Sequence, residues 1–314
     1  MNEKVADLGE FPLIAAITVR LPQGPTVLVG PGDDAAVLAV PGGRIVATTD
    51  LLVEHRHFRR DWSSAVDVGH KAAAQNLADV VAMGAAPTAL LVALGVPAEL
   101  TTEWVLGFAD GLREECEPLG VSVVGGDVVQ ADAVVIAVTA WGDLQGRRAV
   151  TRAGARAGDV VAVCGRLGWA EAGLRVLSRG FRSPRLLVQA HRRPAVPYDA
   201  GPEAATLGAT AMCDVSDGLL ADLGHIAAAS QVRIDVDSAA FEIAGPMRDA
   251  AAALGAQPIH WVLTGGEDHA LAATFDAAVA LSERWRVVGR VLDGDGVTVD
   301  GVPYGDSPGH AHFR

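Results

Sequence analysis

Hydrophobic and polar positions along the first half of the chain alternate between two periods. Val27–Val29 and Ala36–Val40 read as short strands, and Pro41-Gly42-Gly43 reverses the chain in a hairpin turn toward a strand over Arg44–Thr48. A period near 3.6 then takes over. Val66, Ala73, Leu77 and Val81 predict a helix from about Ser64 to Met83, with Ser64 and Asp67 as a capping-box start. Thr88–Leu94 predicts a buried strand. Trp104, Phe108 and Leu112 share one face of a second helix over Thr102–Leu119, which Gly120 stops. Strands follow at Val121–Val124 and Val134–Trp141.

Around Gly142–Gly158 the composition shifts to Arg, Gly and Asp, which sets a boundary between a domain over 1–146 and another over 147–314. In the second, strands are expected at Val160–Val163, Val232–Val236, Ala270–Thr274 and Val287–Val291, and helices at Ala170–Ser178 and Gly218–Ala229. The expected fold class is α/β, of α+β type, in two domains without a flexible linker. A length of 314 residues suits that division, because single cores stop growing near about 250–300 residues.

Composition changes the picture by exclusion. Half of the residues are hydrophobic and mean hydropathy is +0.28, which rules out intrinsic disorder. Against 38 Asp+Glu stand 25 Lys+Arg, a net charge of −13. That balance argues against a general nucleic-acid binder and against attachment to anionic lipid. Val80–Ala98 is uncharged, but Gly84, Pro87, Gly95 and Pro97 interrupt it, so no membrane span is expected. Cys116, Cys164 and Cys213 are widely spaced, which speaks against a disulfide framework or a thiolate zinc site. Met1–Asp7 lacks the features of a signal peptide, and a reducing cytoplasm is the expected location.

The candidate chemistry lies in aspartates at strand ends or beside glycines. They are Gly32-Asp33-Asp34, Thr48-Thr49-Asp50, Asn76-Leu77-Ala78-Asp79, Gly125-Gly126-Asp127 and Asp214-Val215-Ser216-Asp217-Gly218. Each alone is common turn chemistry. Five together would repel one another unless cations lay between them, and hard oxygen donors without a Cys/His cluster point to Mg²⁺. Gly30-Pro31-Gly32-Asp33-Asp34-Ala35 imitates a dinucleotide fingerprint, but the hairpin that follows leaves no room for the crossover helix. No P-loop motif occurs. Lys71, Gln75 and Asp79 form a stripe on a helix otherwise flanked by Ala, Leu and Val, so the stripe must meet polar partners. Asp217-Gly218 opens a helix, as an N-cap or as a seat for phosphate. Thr264-Gly265-Gly266-Glu267-Asp268 is a second acidic turn relieved by glycine.

In order along the chain, several segments resemble the thiamine-monophosphate kinase family of the PurM-like superfamily. They are Gly32–Ala36, Thr48–Val53, His57-Phe58, Lys71–Ala85, Gly125–Asp127, Thr151–Gly154, Asp214–Gly218 and Gly265–Asp268. The resemblance implies two α/β domains, the N-terminal one dimerising through its sheet, with the active site in a cleft near that interface. It implies direct in-line transfer of the ATP γ-phosphoryl group to thiamine monophosphate, the last step of thiamine diphosphate synthesis. By position it assigns several Mg²⁺ ions to Asp34, Thr48, Thr49, Asp50, Asp79, Asp127, Asp214 and Asp217. ATP contacts fall on Gly126, Asp127, Arg152 and Ser216, and substrate contacts on His57 and Glu267. No covalent nucleophile or obligate base is implied. Val128 stands where the family commonly has Thr, and His310 stands near the place of an aromatic residue and substitutes for it as a substrate contact. The alternatives are another PurM-like ATP-dependent synthetase, of the aminoimidazole-ribonucleotide or selenophosphate type, or a non-catalytic Mg-nucleotide-binding module.

Overall fold

The structure, a computed structural model, describes residues 4, 10–29, 37–305 and 307–310. The chain forms two compact units, one of Met1–Val80 with Ala86–Gly146 and the other of Val81–Ala85 with Arg147–Arg314.

The first unit opens with α1 (Glu10–Thr18), β1 (Val27–Val29) and β2 (Val37–Leu38). Gly43 N donates to Val40 O at 3.1 Å, so the expected turn forms. It does not close a hairpin with the next strand, however. β2 pairs back onto β1, antiparallel, with Val27 opposite Leu38. The next strand, β3 (Ile45–Val53), is longer than expected because β6 (Val135–Asp143) pairs with it along its whole length.

β3 and β6 belong to a four-stranded sheet of order β3-β6-β4-β5, with β4 at Ala86–Val96 and β5 at Ser122–Gln130. β4 and β5 run parallel, a pairing that requires the crossover supplied by α3 (Thr102–Cys116). β5 also extends past its expected end. Gly125-Gly126-Asp127 lies inside the strand, because Gly126 sits opposite Val92 where any Cβ would overlap the Val92 carbonyl oxygen. The glycine is there for backbone approach rather than for a turn.

Side chains alternate across this sheet. Thr48, Asp50 and Leu52 face α2 (Ala65–Ala82), while Ile45, Ala47, Thr49 and Leu51 face outward. Ile45 and Leu51 are each 50% exposed and Val129 is 54% exposed, which leaves an apolar face open to solvent. α2 begins with the expected capping box: Ser64 N donates to Asp67 Oδ2 at 3.0 Å, and Asp67 N to Ser64 Oγ at 3.2 Å. Its packing on α3 is backbone to backbone. A Cβ at Gly69 would overlap Phe108 O, and one at Gly111 would overlap Val66 O.

In the second unit a seven-stranded sheet has the order β13-β12-β9-β11-β7-β10-β8. Its strands are β7 (Val160–Cys164), β8 (Ala211–Val215), β9 (Arg233–Val236), β10 (Ala270–Phe275), β11 (Arg286–Leu292), β12 (Gly296–Val299) and β13 (Val302–Pro303). The helices are α4 (Trp169–Ser178), α5 (Arg185–Arg192), α6 (Ala200–Leu207), α7 (Leu219–Ser230), α8 (Gly245–Leu254) and α9 (Pro258–Thr264). β8, at the sheet edge, pairs antiparallel with β10 and places Asp214 opposite Leu271. All three cysteines are buried free thiols. Among the described residues no helix is long and apolar enough to cross a membrane.

Candidate functional site

In the first unit, the polar stripe of α2 meets β3 and the loop after it. Thr48 Oγ1 donates to Asp79 Oδ2 at 2.7 Å, and Gln75 Nε2 donates to Asp50 Oδ2 at 3.3 Å. Asn76 is fully buried and satisfied: Oδ1 accepts from Asp50 N at 3.0 Å, and Nδ2 donates to Ala72 O at 2.9 Å. The helix is thereby stapled to the strand at Asp50. Lys71, 3% exposed, donates to His57 O at 3.0 Å. His57 Nδ1 accepts from Val53 N at 2.9 Å, so the neutral ring carries its proton on Nε2.

Thr48, Asp50 and Asp79 are brought together. Thr49 and Asp127 are not with them. The Thr49 hydroxyl donates to Val138 O at 3.0 Å and accepts from Thr139 at 3.2 Å. Asp127 shares a register row with Ala93, Ala137 and Leu51 on the open face. Gly126 lies in the row of Asp50 and Val92. Asp34 falls outside the described residues.

In the second unit, β8 ends at Val215 and the Ser216-Asp217-Gly218 turn leads into α7. Asp222 holds this turn: its Oδ2 accepts from Asp217 N at 3.1 Å and Gly218 N at 3.0 Å. Gly218 has φ +129°, and a Cβ there would lie 2.6 Å from Thr264 O, so only glycine fits. Burial pushes the Asp222 carboxyl up to about 7, the charge of Asp214 adds to the rise, and the Gly218 N–H opposes it. Oxygen and nitrogen atoms of Asp217, Asp222 and His225 lie within 4.8 Å of one another, a spacing that suits one divalent ion.

The turn Gly265–His269 is bonded to the end of β8. Glu267 N donates to Ser216 O at 2.8 Å and His269 N to Val215 O at 2.9 Å, with φ +65° and +51° at these two residues. Its three side chains reach three different partners. Glu267 Oε2 lies 3.4 Å from His191 Nδ1. Asp268 accepts from Gly168 N and Ala170 N at the start of α4, and burial pushes its carboxyl up to about 7 against those two donors. His269 Nδ1 lies 3.0 Å from Asp214 Oδ2.

His310 N donates to Asp217 O at 2.9 Å, which places His310 on the same turn. Arg152 is exposed on a loop beside β8. Thr151 O accepts from Met212 N at 3.1 Å, and Ser230 Oγ donates to Arg152 O at 3.0 Å. The second unit therefore gathers Asp214, Ser216, Asp217, Glu267 and His310 around the end of β8, while Arg152 lies toward the start of that strand, beside Ser230 at the last turn of α7.

The sequence singles out Asp268 only as part of an acidic turn, and gives no role to Asp222, His269 or His191. Asp222 carried a signal, an acid in the first turn of the helix opened by Gly218. Asp268 and His269 adjoin the glycine turn. His191 carried none.

Residues 32–144 match AIR synthase related protein, N-terminal domain, and residues 156–302 match AIR synthase related protein, C-terminal domain. Fold and matches together place the chain in that two-domain class. A thiamine-monophosphate kinase of Mycobacterium tuberculosis (strain H37Rv) is 49% identical over 308 residues, covering 98% of this chain and 92% of its own. The crystal structure of thiamine-monophosphate kinase from Stenotrophomonas maltophilia K279a has a TM-score of 0.80 at 33% identity, covering 94% of this chain and 98% of that one. The structure described as AaThiL complexed with AMPPCP and TMP has a TM-score of 0.79 at 33% identity, covering 97% and 98%. The chain belongs to the thiamine-monophosphate kinase family.

Proposed function

We propose that the chain phosphorylates thiamine monophosphate with ATP, giving thiamine diphosphate and ADP by direct in-line transfer. The observation that carries this reading is the fixed carboxylate group Asp50/Asp79, held by Gln75, Asn76 and Thr48. An acidic chain must bind two anionic substrates, and the donor set fits the Mg²⁺ that would make this possible. It is oxygen-only at Thr48, Asp50 and Asp79, while the close group around Asp217 sets a His225 ring nitrogen beside the two carboxylates. Mg²⁺ bound at these residues supplies neutralisation of phosphate charge. Thr49, Asp127 and Asp34 complete the proposed set, with Thr49 and Asp127 apart from Asp50 and Asp79 because they face the other way, and apart from each other because β3 and β5 are the two edges of the sheet.

The remaining roles follow from the side chains. The acceptor is already an ionised phosphate, so transfer needs alignment rather than a strong base. His57 donates its Nε2 proton to the phosphate of thiamine monophosphate. Glu267 faces the cationic thiazolium or the aminopyrimidine, and His310 contacts the same molecule. Arg152 pairs with ATP phosphates, while Ser216, Gly126 and Asp127 contact the nucleotide.

Incubation of purified protein with Mg-ATP and thiamine, thiamine monophosphate or thiamine diphosphate in turn tests the reading. Product is expected from the monophosphate alone. Turnover of free thiamine but not of its monophosphate would overturn it.

We infer that the open face of the four-stranded sheet pairs with a second copy of the chain. Ile45, Leu51 and Val129 are large apolar side chains about half exposed on one sheet face, and burying them against a twin recovers roughly 25 cal/mol per Å². Leu51→Asp is expected to convert a dimer into a folded monomer in size-exclusion chromatography with light scattering. An unchanged dimer mass would refute this face as the contact. Three buried free thiols favour a reducing, cytoplasmic location.

A further inference from the structure

Within the turn Gly265–His269, Glu267 differs from its neighbours. Asp268 and His269 are 5% and 6% exposed, whereas the Glu267 side chain keeps 32% of its surface accessible. Behind it stands His191, on the last turn of α5, with 6% of its side chain accessible and Nδ1 3.4 Å from Glu267 Oε2. A buried imidazole backing a half-open carboxylate is a second layer supporting a ligand contact.

The surroundings make this pairing a fixed one. α5 lies against α4 at Gly173, where a Cβ would overlap Leu187 O and come within 2.8 Å of His191 Cβ. The start of α4 is held in turn by Asp268, the residue after Glu267. A Cβ at Gly265 would lie 2.6 Å from Glu171 Cβ, so α4 also packs directly on the turn. His191 and Glu267 are therefore joined by a closed circuit of contacts through α4 as well as by their own approach.

We propose that His191 is a positioning residue that sets the Glu267 carboxylate for a cationic heteroaromatic phosphate ester, and so favours a charged ring over an uncharged ring of the same shape. This rests on the reading in which Glu267 contacts thiamine monophosphate. Closing this 3.4 Å approach into a hydrogen bond from a neutral imidazole, with its proton on Nδ1, orients the carboxylate without cancelling its charge, which an imidazolium would do.

The test is steady-state kinetics of His191→Leu and His191→Asn, with wild type assayed alongside. Asn carries an amide near the Nδ1 position, and Leu fills the space without a donor. In His191→Leu, KM for thiamine monophosphate is expected to rise about tenfold while KM for ATP and kcat stay within about twofold. His191→Asn is expected to recover most of the loss. In a Glu267→Gln background, His191→Leu is expected to add nothing, because its partner is already gone.

An unmoved KM, an equal rise for both substrates, or a full effect that persists in the Glu267→Gln background would each overturn the proposal. Should His191→Leu fail to fold, His191→Asn and His191→Gln decide. Gln reaches the Nε2 position instead and should raise KM where Asn does not, and equal KM values would overturn the proposal. Wild type without turnover of thiamine monophosphate removes the functional reading and this role together. Turnover with an unmoved KM removes this role alone.

Discussion

Asp79→Asn is expected to fold as wild type and to lose about 10²–10³-fold in turnover with Mg-ATP and thiamine monophosphate. The substitution keeps the size of the side chain. It also keeps an oxygen that can accept from Thr48 Oγ1, now 2.7 Å from Asp79 Oδ2, so the tie between β3 and α2 survives. The full negative charge does not survive. An amide oxygen binds a hard divalent ion far more weakly than a carboxylate does, and the charge offsetting two polyanionic substrates falls by one. Circular dichroism and thermal melting should match wild type, and rising Mg²⁺ should recover part of the rate. Turnover equal to wild type would refute a metal role for Asp79.

Gly126→Ala carries the largest expected effect on stability. The added Cβ would overlap the Val92 carbonyl oxygen and lie 2.8 Å from the Val92 carbonyl carbon, both backbone atoms of the paired strand. No rotamer relieves this contact, so β4 and β5 must part locally and give up ladder hydrogen bonds. A loss of roughly 3 kcal/mol or more is expected, or about 6–12 °C in Tm for a unit of this size. Gly224→Ala serves as the control. It lies inside α7 with nothing within 4 Å of its Cβ, and should stabilise by about 0.5–1 kcal/mol. Equal melting of Gly126→Ala and wild type would show that the strands approach less closely than described.

The contrast between these two glycines shows what was legible in the sequence. α2 was readable from Ser64 to Met83 because its apolar positions keep a helical period and its start has a reciprocal cap. The stripe Lys71/Gln75/Asp79 was readable for the same reason, since a polar row on a buried helix must find partners. Gly125-Gly126 was misread as the end of a strand because paired glycines usually mark turns. Only the neighbouring strand shows that Gly126 makes room for a carbonyl.

Thr48 and Thr49 were grouped by resemblance, although adjacent residues of a strand point to opposite faces. The structure separates them accordingly. The short helices α5, α8 and α9 were not visible. α5 is eight residues long and begins after Pro184, while α8 and α9 each carry proline in the first turn. His191 depends on the placement of α5 and could not have been found before that helix was.

The turn Gly265–His269 has one further consequence. Its Glu267 is assigned to the thiamine phosphate, and its His269 steadies Asp214, assigned to a cation. The two lie two residues apart on a backbone bonded at both points to the end of β8. On the proposed roles, substrate and cation are read by a single stiff lever, and neither can adjust it without moving the other. Their affinities are then reciprocal: whatever factor the cation adds to substrate binding, the substrate returns to the cation.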